Sequence, residues 1–300
     1  MLLPYLKGFP WQRFMDFISP EADRLAILKE ILKEAELEYK VTEIAGSRHI
    51  IVTPPPSPEQ LKSMERRPPV ILVAHYDRAE GSPGANDNSA GVFLLIETAM
   101  KLIKKNKSNW QVIFTDREEL KSGGKLQSQG AYGLAEYLKN LKMEKSKIFS
   151  FDACGTGDTM IISTTLEFLL KKKEGAWEKQ RDSILELRKY ALNTVRNLNM
   201  AKVLLAPTPF SDDVGFILAG LIAQTVTMLP SDECIRLVAE LRKNPEFAEA
   251  LINAKMRKAS HLRSIPETWR VLNTPADSHL RLTPEHFRTV VKFAEALCSG

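Results

Sequence analysis

The chain has 300 residues, of which 44% are hydrophobic and 26% are charged. This composition excludes a disordered chain and allows one large α/β domain or two small ones. Its 42 basic and 37 acidic residues leave a formal charge of +5. The densest basic run, three lysines at 171–173, lies in a mixed-charge helical stretch without interleaved aromatic residues. We therefore interpret it as a solvated helix face and expect no nucleic-acid partner.

The cysteines and the N-terminal residues bear on the compartment. Cys154, Cys234 and Cys298 are widely separated, which leaves neither a disulfide framework nor a Cys-x-x-Cys metal site and favours a reducing environment. The first residues, MLLPYLKGFPWQRFMDF, lack the apolar core of a signal peptide, and no segment is apolar for long enough to span a membrane. We expect a cytoplasmic protein without a membrane partner.

The first 75 residues predict one helix and three strands. SPEADRLAILKEILKEAEL reads as an amphipathic helix with Ser19 as its N-cap and Pro20 in its first turn. The strands YKVTEI and HIIVTPP follow, and then a polar, proline-rich loop at 54–69. The next run, VILVA at 70–74, is apolar without alternation, which is typical of a central strand covered on both faces.

Strands and helices alternate along the rest of the chain. The predicted order is a helix at about 89–105, the strand WQVIFT, the helix AYGLAEYLKNL, the strand KIFSFD, a long helix at about 166–199, the strands AKVLLA and LIAQTVTML, and a last helix after Thr283. This order predicts an α/β fold with three α/β/α layers and a mostly parallel, mixed central sheet. We expect a single domain over 1–300, with a helical insertion at about 232–263.

Polar stretches rich in carboxylates lie at or just beyond strand ends. HYD ends the buried strand and is followed by GANDNSAG. The next two strand ends carry FTDREEL and FSFDACGTGD, and NTPADSH lies near the C-terminus. Because strand ends in an open α/β sheet converge on one crevice, we expect these stretches to lie together. The candidate side chains are His75, Asp77, Asp87, Glu118, Glu119, Asp152, Asn273, Asp277 and His279.

These residue types indicate a metal site. Carboxylates that are pressed together repel one another and need a cation. One imidazole with three or four carboxylates suits zinc, with manganese or cobalt permitted, and a carboxylate that bridges two ions fits a paired-metal hydrolase. Asp77 is placed to accept the second imidazole N–H of His75. In the pair Glu118–Glu119, neighbouring side chains on extended backbone point opposite ways, so one can bind metal while the other acts as a general base.

The motifs HYD, GANDNSAG, FTDREEL and FDACGTGD resemble, in the same order, those of the co-catalytic zinc aminopeptidases of the bacterial leucyl aminopeptidase type, whose fold also serves glutaminyl cyclases. The matches span roughly residues 70–280. The resemblance implies a zinc-exopeptidase-like fold and a metal-dependent enzyme that removes N-terminal residues from peptides through a metal-activated water.

The same resemblance implies roles for individual residues. His75, Asp87 and Asp152 would hold one ion, and Asp87 would bridge to a second ion held also by Glu119. Glu118 would be the general base, with Asp77 as the partner of His75. The resemblance further implies that Ser211 and Asp212 orient neighbouring groups, and that the peptide bond between Asp87 and Asn88 is cis.

One position departs from the pattern. The last ligand of that family is the histidine of a His-Thr-Pro-x-Asp motif, and this chain has Asn273 in NTPAD. An asparagine oxygen is a poor zinc ligand beside imidazole, so we expect the second ion to bind weakly or not at all. His279 is either a loop histidine, which we favour, or a substitute ligand.

Two alternatives to an aminopeptidase remain open on the sequence. The first is a family member that kept the fold and lost turnover, acting as a binding or scaffold protein. The second is a glutaminyl cyclase-like acyltransferase, although that branch resembles a single-ion enzyme that uses the final histidine. The retained carboxylates favour the enzyme, because an unused site has no electrostatic reason to keep them close.

Overall fold

The computed structural model describes residues 9–56, 67–120, 124–171, 175–252 and 259–299, and in these ranges eight strands form one mixed sheet. The strands are β1 (Tyr39–Ile44), β2 (Ser47–Val52), β3 (Val70–His75), β4 (Trp110–Thr115), β5 (Lys147–Phe151), β6 (Thr159–Ser163), β7 (Val203–Ala206) and β8 (Ala223–Leu229). Their order is β1-β2-β4-β3-β5-β8-β6-β7. β3 pairs in parallel with β4 and β5, as do β5 with β8 and β6 with β7, whereas the pairs β1/β2, β2/β4 and β6/β8 are antiparallel.

Helices cover both faces of this sheet. They are α1 (Trp11–Ile18), α2 (Arg24–Glu34), α3 (Gly91–Lys104), α4 (Gly130–Asn140), α5 (Thr165–Lys171), α6 (Ala176–Asn197), α7 (Asp212–Leu218), α8 (Ser231–Lys243), α9 (Phe247–Ile252), α10 (Ala259–Leu262), α11 (Glu267–Arg270) and α12 (Phe287–Leu297). The helices α1, α2, α3, α6 and α12 pack on one face, and α4 and α7 pack on the other. The predicted three-layer α/β fold is confirmed.

The central strand β3 shows why the sheet needs helices on both sides. All six of its residues are buried. Leu72 and Ala74 pack into one hydrophobic core, and Ile71 and Val73 pack into the other. The apolar run therefore predicted a doubly covered strand correctly, and His75 ends this strand at its carboxyl edge.

Two predicted helices differ from the structure, and one strand was not predicted. Ser19 is not a helix N-cap, because α1 ends just before it and α2 begins at Arg24, where the carboxylate of Asp23 accepts the N–H of Ala26 at 3.0 Å. The helix predicted over 166–199 is two helices, α5 and α6, with Gly175 at φ +67° before α6. Two of the three lysines at 171–173, those at 172 and 173, lie outside the described residues. Strand β6 was missed, since its apolar residues directly precede helix α5.

The helices of 232–263 share a hydrophobic core with the sheet. Cys234 and Leu237 of α8 and Phe247 of α9 pack with Ile161 of β6 and Leu229 of β8. The description of this stretch as an insertion in one domain over 1–300 stays a prediction. Within the described ranges, every helix is too short or too polar to cross a membrane.

Gly157, between β5 and β6, gives a test of this packing. Its φ is +106°, and a Cβ atom there would lie 2.0 Å from the carbonyl carbon of Leu229 and 2.3 Å from the nitrogen of Pro230. We expect Gly157→Ala to lower the free energy of unfolding by the strain of a positive φ, about 1–2 kcal/mol, plus an overpacking cost of about 1–3 kcal/mol. Urea unfolding measures the sum of these two losses.

Gly220→Ala is the matched control. Gly220 also has a positive φ, +86°, but nothing lies within 4 Å of the added Cβ, so only the strain remains. Equal losses for the two variants would show that the close approach to β8 contributes nothing.

Candidate metal centre

The carboxyl edge of the sheet collects the residues that the sequence singled out. His75 is the last residue of β3 and pairs with Thr115, the last residue of β4. Asp152 directly follows β5, and the segment that carries Glu118 and Glu119 begins just beyond β4. The sheet register thus brings these strand ends side by side, as predicted.

A kinked turn at Ala85–Ala90, in which Asp87 and Asn88 have non-helical backbone angles, carries Asp87 to the same edge. The peptide bond between Asp87 and Asn88 is cis, as predicted. The side-chain amide of Asn88 donates to the carbonyl oxygen of Phe151 at 2.7 Å. Because Phe151 precedes Asp152, this hydrogen bond fixes the turn against the end of β5.

Three of the predicted ligands converge. His75, Asp87 and Asp152 each offer one ligand atom, and these atoms all lie within 4.8 Å of one another. Nε2 of His75 is 3.1 Å from Oδ1 of Asp87 and 3.6 Å from Oδ1 of Asp152, while Nδ1 is 3.5 Å from Oδ1 of Asp77. The spacing gives one imidazole nitrogen and two carboxylate oxygens a common centre and leaves the other nitrogen for Asp77.

Several polar atoms at this edge lack partners. Among the described residues, both imidazole nitrogens of His75, Oδ1 of Asp152 and Oε1 of Glu119 are buried without a hydrogen bond. Burying such atoms unpaired costs free energy, more so when they carry charge. A divalent cation satisfies nitrogen and carboxylate oxygen atoms together, so the donor set fits a metal ion of the zinc type.

The electrostatics of the site point the same way. Burial opposes a charged imidazole, but attraction to the surrounding aspartates outweighs it and raises the pKa of His75 well above its ordinary value. Burial, followed by repulsion from Asp152, raises the pKa of Asp87. Burial and the charge of Asp87 raise the pKa of Glu119 to about 9. Each shift favours a bound proton, which means that the site stabilises added positive charge.

Asp77 does more than face His75. Its Oδ1 accepts the backbone N–H of Glu118 at 3.2 Å, and its Oδ2 accepts the backbone N–H of Glu119 at 3.0 Å. Burial would raise the pKa of Asp77, but the interaction with His75 and these two donors lower it. A single carboxylate therefore ties the histidine to the segment that carries both glutamates.

Asp277 and the NTPAD turn hold the other side of the Asp87 turn. The buried carboxylate of Asp277 accepts the backbone N–H groups of Asn86 and Asp87 at 2.9 and 3.0 Å. Burial raises the pKa of Asp277 to about 6. Thr274 shapes the turn, since its hydroxyl donates to the carbonyl of Val271 at 2.6 Å. The sequence placed Asp277 near the site but did not reveal this contact.

Arg24 is a site residue that the sequence analysis missed. It is buried in α2, and its guanidinium donates to the carbonyls of Tyr76 and Asp77, both at 3.1 Å, and of Pro83 at 2.7 Å. It also donates to the hydroxyl of Ser89 at 2.9 Å. The Arg24 side chain thus binds both ends of the loop that joins His75 on β3 to the turn that carries Asp87.

The remaining predicted residues lie outside the three-residue group. In the described part of the chain, neither Glu119 nor His279 contributes an atom to it. Asn273 is exposed and has φ +62°. Asp212 accepts the hydroxyl of Thr115 at 2.7 Å, and the hydroxyls of Ser211 and Ser150 are 3.2 Å apart. The ligands of a second ion stay a prediction.

Comparisons with known proteins find relatives in sequence and in structure. Over 155 residues the chain is 29% identical to the aminopeptidase YwaD of Bacillus subtilis, a match that covers 50% of this chain and 31% of that protein. The zinc aminopeptidase BSAP of Bacillus subtilis has a similar structure, with a TM-score of 0.51 and 21% identity over 83% of this chain and 49% of that chain. The chain therefore spans less than half of the length of either protein.

A glutaminyl cyclase from Porphyromonas gingivalis has the same fold over nearly its whole length. The TM-score is 0.59 and the identity 18%, and the match covers 96% of this chain and 94% of that one. At this identity the likeness shows the fold alone. The model of peptidase family M28 matches residues 59–233, more than half of the sequence. This chain belongs to peptidase family M28.

Proposed function

We propose that this protein is a metal-dependent aminopeptidase that uses zinc, with manganese or cobalt as permitted ions. The observation that carries the proposal is the convergence of His75, Asp87 and Asp152, whose ligand atoms lie within 4.8 Å of one another at the carboxyl edge of the sheet. Family membership supports it, as do the aminopeptidase and zinc aminopeptidase named among the similar proteins.

The ligand assignment follows the donor set. His75, Asp87 and Asp152 hold the first ion, and Asp87 with Glu119 serves a weaker second position. The buried Oε1 of Glu119 has no hydrogen-bond partner among the described residues, which supports its part in cation binding. When bound, a divalent ion polarises the scissile carbonyl group and makes water a better nucleophile at neutral pH.

Glu118 acts as the general base in this proposal. Its carboxylate takes a proton from the attacking water and returns it to the departing amine nitrogen. Burial raises the pKa of Glu118 well above its ordinary value, and a cation bound beside it would lower that pKa again, which leaves the carboxylate able to accept a proton. Asp77 supports Glu118 through the backbone hydrogen bond at 3.2 Å.

The substrate is a peptide with a free N-terminus. The proposed enzyme is cytoplasmic and binds neither nucleic acid nor a membrane. A glutaminyl cyclase shares the fold, but that branch resembles a single-ion enzyme that uses the final histidine of the motif, where this chain has Asn273. A scaffold without turnover does not explain why buried carboxylates with raised pKa values are kept together.

The two glutamates provide the main test. Glu118→Gln removes the base and keeps the shape, so kcat on aminoacyl p-nitroanilides should fall by about 10² to 10⁴-fold while bound zinc is retained. Glu119→Gln should instead lower zinc content or affinity, because a neutral amide oxygen replaces a charged ligand. Steady-state kinetics and metal analysis of the purified variants separate these outcomes.

Glu80→Gln is the control, since Glu80 is an exposed glutamate on the loop between β3 and the Asp87 turn. It should leave both kcat and zinc content unchanged. Small, equal effects of the Glu118 and Glu119 variants would favour the scaffold and overturn the proposed mechanism.

Asn273 tests the weak second position. We expect Asn273→His to raise the affinity for a second zinc, because imidazole is a better zinc ligand than an amide oxygen. The left-handed backbone at φ +62° tolerates histidine better than most residues, so the fold should survive. Calorimetric titration of zinc into metal-free protein measures both binding steps.

His279→Ala is the companion variant. It should leave kcat and zinc affinity nearly unchanged if His279 is a loop residue. Two tightly bound ions in the unmodified protein, unaffected by Asn273→His, would contradict a weakened second position.

A further inference from the structure

The residue that precedes helix α4 contacts the Glu118 side chain. Gln129 is the residue before α4 and is 3% exposed. Its Nε2 lies 2.9 Å from Oε1 of Glu118 and 3.4 Å from the carbonyl oxygen of Glu118, and donates to both. We propose that Gln129 positions Glu118 by holding one carboxylate oxygen, which leaves the other for proton transfer. This inference rests on the proposed function.

Two glycines build the slot that Gln129 occupies. A Cβ on Gly130 would lie 1.9 Å from the carbonyl oxygen of Asp116, so only glycine lets α4 begin this close to the end of β4. The N–H of Gly130 also donates to the carbonyl of Arg117 at 3.0 Å. The start of α4 is therefore fixed to the residue before Glu118 as well as to its carboxylate.

The second glycine lies across from the amide. A Cβ on Gly215 of α7 would lie 2.9 Å from Oε1 of Gln129 and 2.8 Å from Cβ of Ala131. The bare backbone of α7 thus walls one side of the Gln129 amide and limits its alternative rotamers. A side chain that is packed in this way can hold a neighbouring group in one orientation.

A glutamine amide suits this task chemically. It donates a hydrogen bond to a carboxylate, and such a charge-assisted bond is stronger than one between neutral groups. Being neutral, it adds no positive charge that would compete with a metal ion. Unlike a carboxylate or an imidazole, the amide does not take up the proton that Glu118 must carry.

Gln129→Met tests the proposal, because methionine has a similar length and no donor. With zinc-loaded protein and an aminoacyl p-nitroanilide, kcat should fall about 10- to 100-fold, while KM and zinc content stay unchanged. Gln127→Met is the matched control, since Gln127 is exposed on the neighbouring turn, and it should behave as the unmodified protein. Unchanged kcat in Gln129→Met would overturn the proposal.

A double-mutant cycle separates positioning from packing. If Gln129 acts through the Glu118 carboxylate, Gln129→Met in a Glu118→Gln background should change kcat by less than about twofold. An equal loss in both backgrounds would show a general packing effect and overturn the proposal. If the methionine variant does not fold, Gln129→Glu keeps the size of the side chain and replaces the donor by a repelling carboxylate, so the same cycle is run with it.

Nuclear magnetic resonance of the metal-free protein gives a readout that does not need activity. The side-chain amide signal of Gln129, assigned by its loss in Gln129→Met, should be protected from hydrogen exchange and should shift in Glu118→Ala. A signal that does not respond to Glu118→Ala would overturn the contact itself. Full activity in Glu118→Gln would instead overturn the proposed function, so the two failures are distinguishable.

Discussion

The repulsion among buried carboxylates at the end of β3 is the constraint around which this structure is organised. Asp87 and Asp152 both lie within 4 Å of the same buried imidazole nitrogen of His75. Such a group cannot remain uncompensated in a protein interior. The pKa values of Asp87 and Glu119 are raised in response. A cation relieves this cost directly, so a bound metal ion would stabilise the fold at this edge as well as serve the proposed reaction.

The surrounding chain supplies the rigidity that holds these charges together. Asp77 and Asp277 accept backbone N–H groups from the segments that carry the other acidic residues, and Arg24 donates to carbonyls at both ends of the intervening loop. The carboxylates that do not face the ion thus serve as backbone acceptors. Gln129 adds a further hydrogen bond, in which a neutral donor faces Glu118. Positioning by several buried hydrogen bonds keeps a ligand set together more precisely than loop packing alone.

Local patterns predicted part of this arrangement, and long-range contacts account for the rest. The apolar run of β3 and the motif order predicted the layers, the strand ends and the convergence of His75 with Asp87 and Asp152, because those follow from strand topology. The helix start at Arg24 was misplaced because Ser19 and Asp23 are both plausible caps, and only the structure selects between them. The contacts of Arg24 and Gln129 depend on which side chains meet across the fold, which spacing along the chain does not encode.

The most direct measurement of the central account is a crystal structure of the zinc-loaded protein, with the ion located by anomalous scattering at the zinc edge. The account predicts an ion about 2.0–2.2 Å from Nε2 of His75 and from carboxylate oxygens of Asp87 and Asp152, with Glu118 near the same centre and not bonded to that ion. A protein that binds no zinc at saturating concentration, or that holds it on other residues while these three face one another unchanged, would contradict the account.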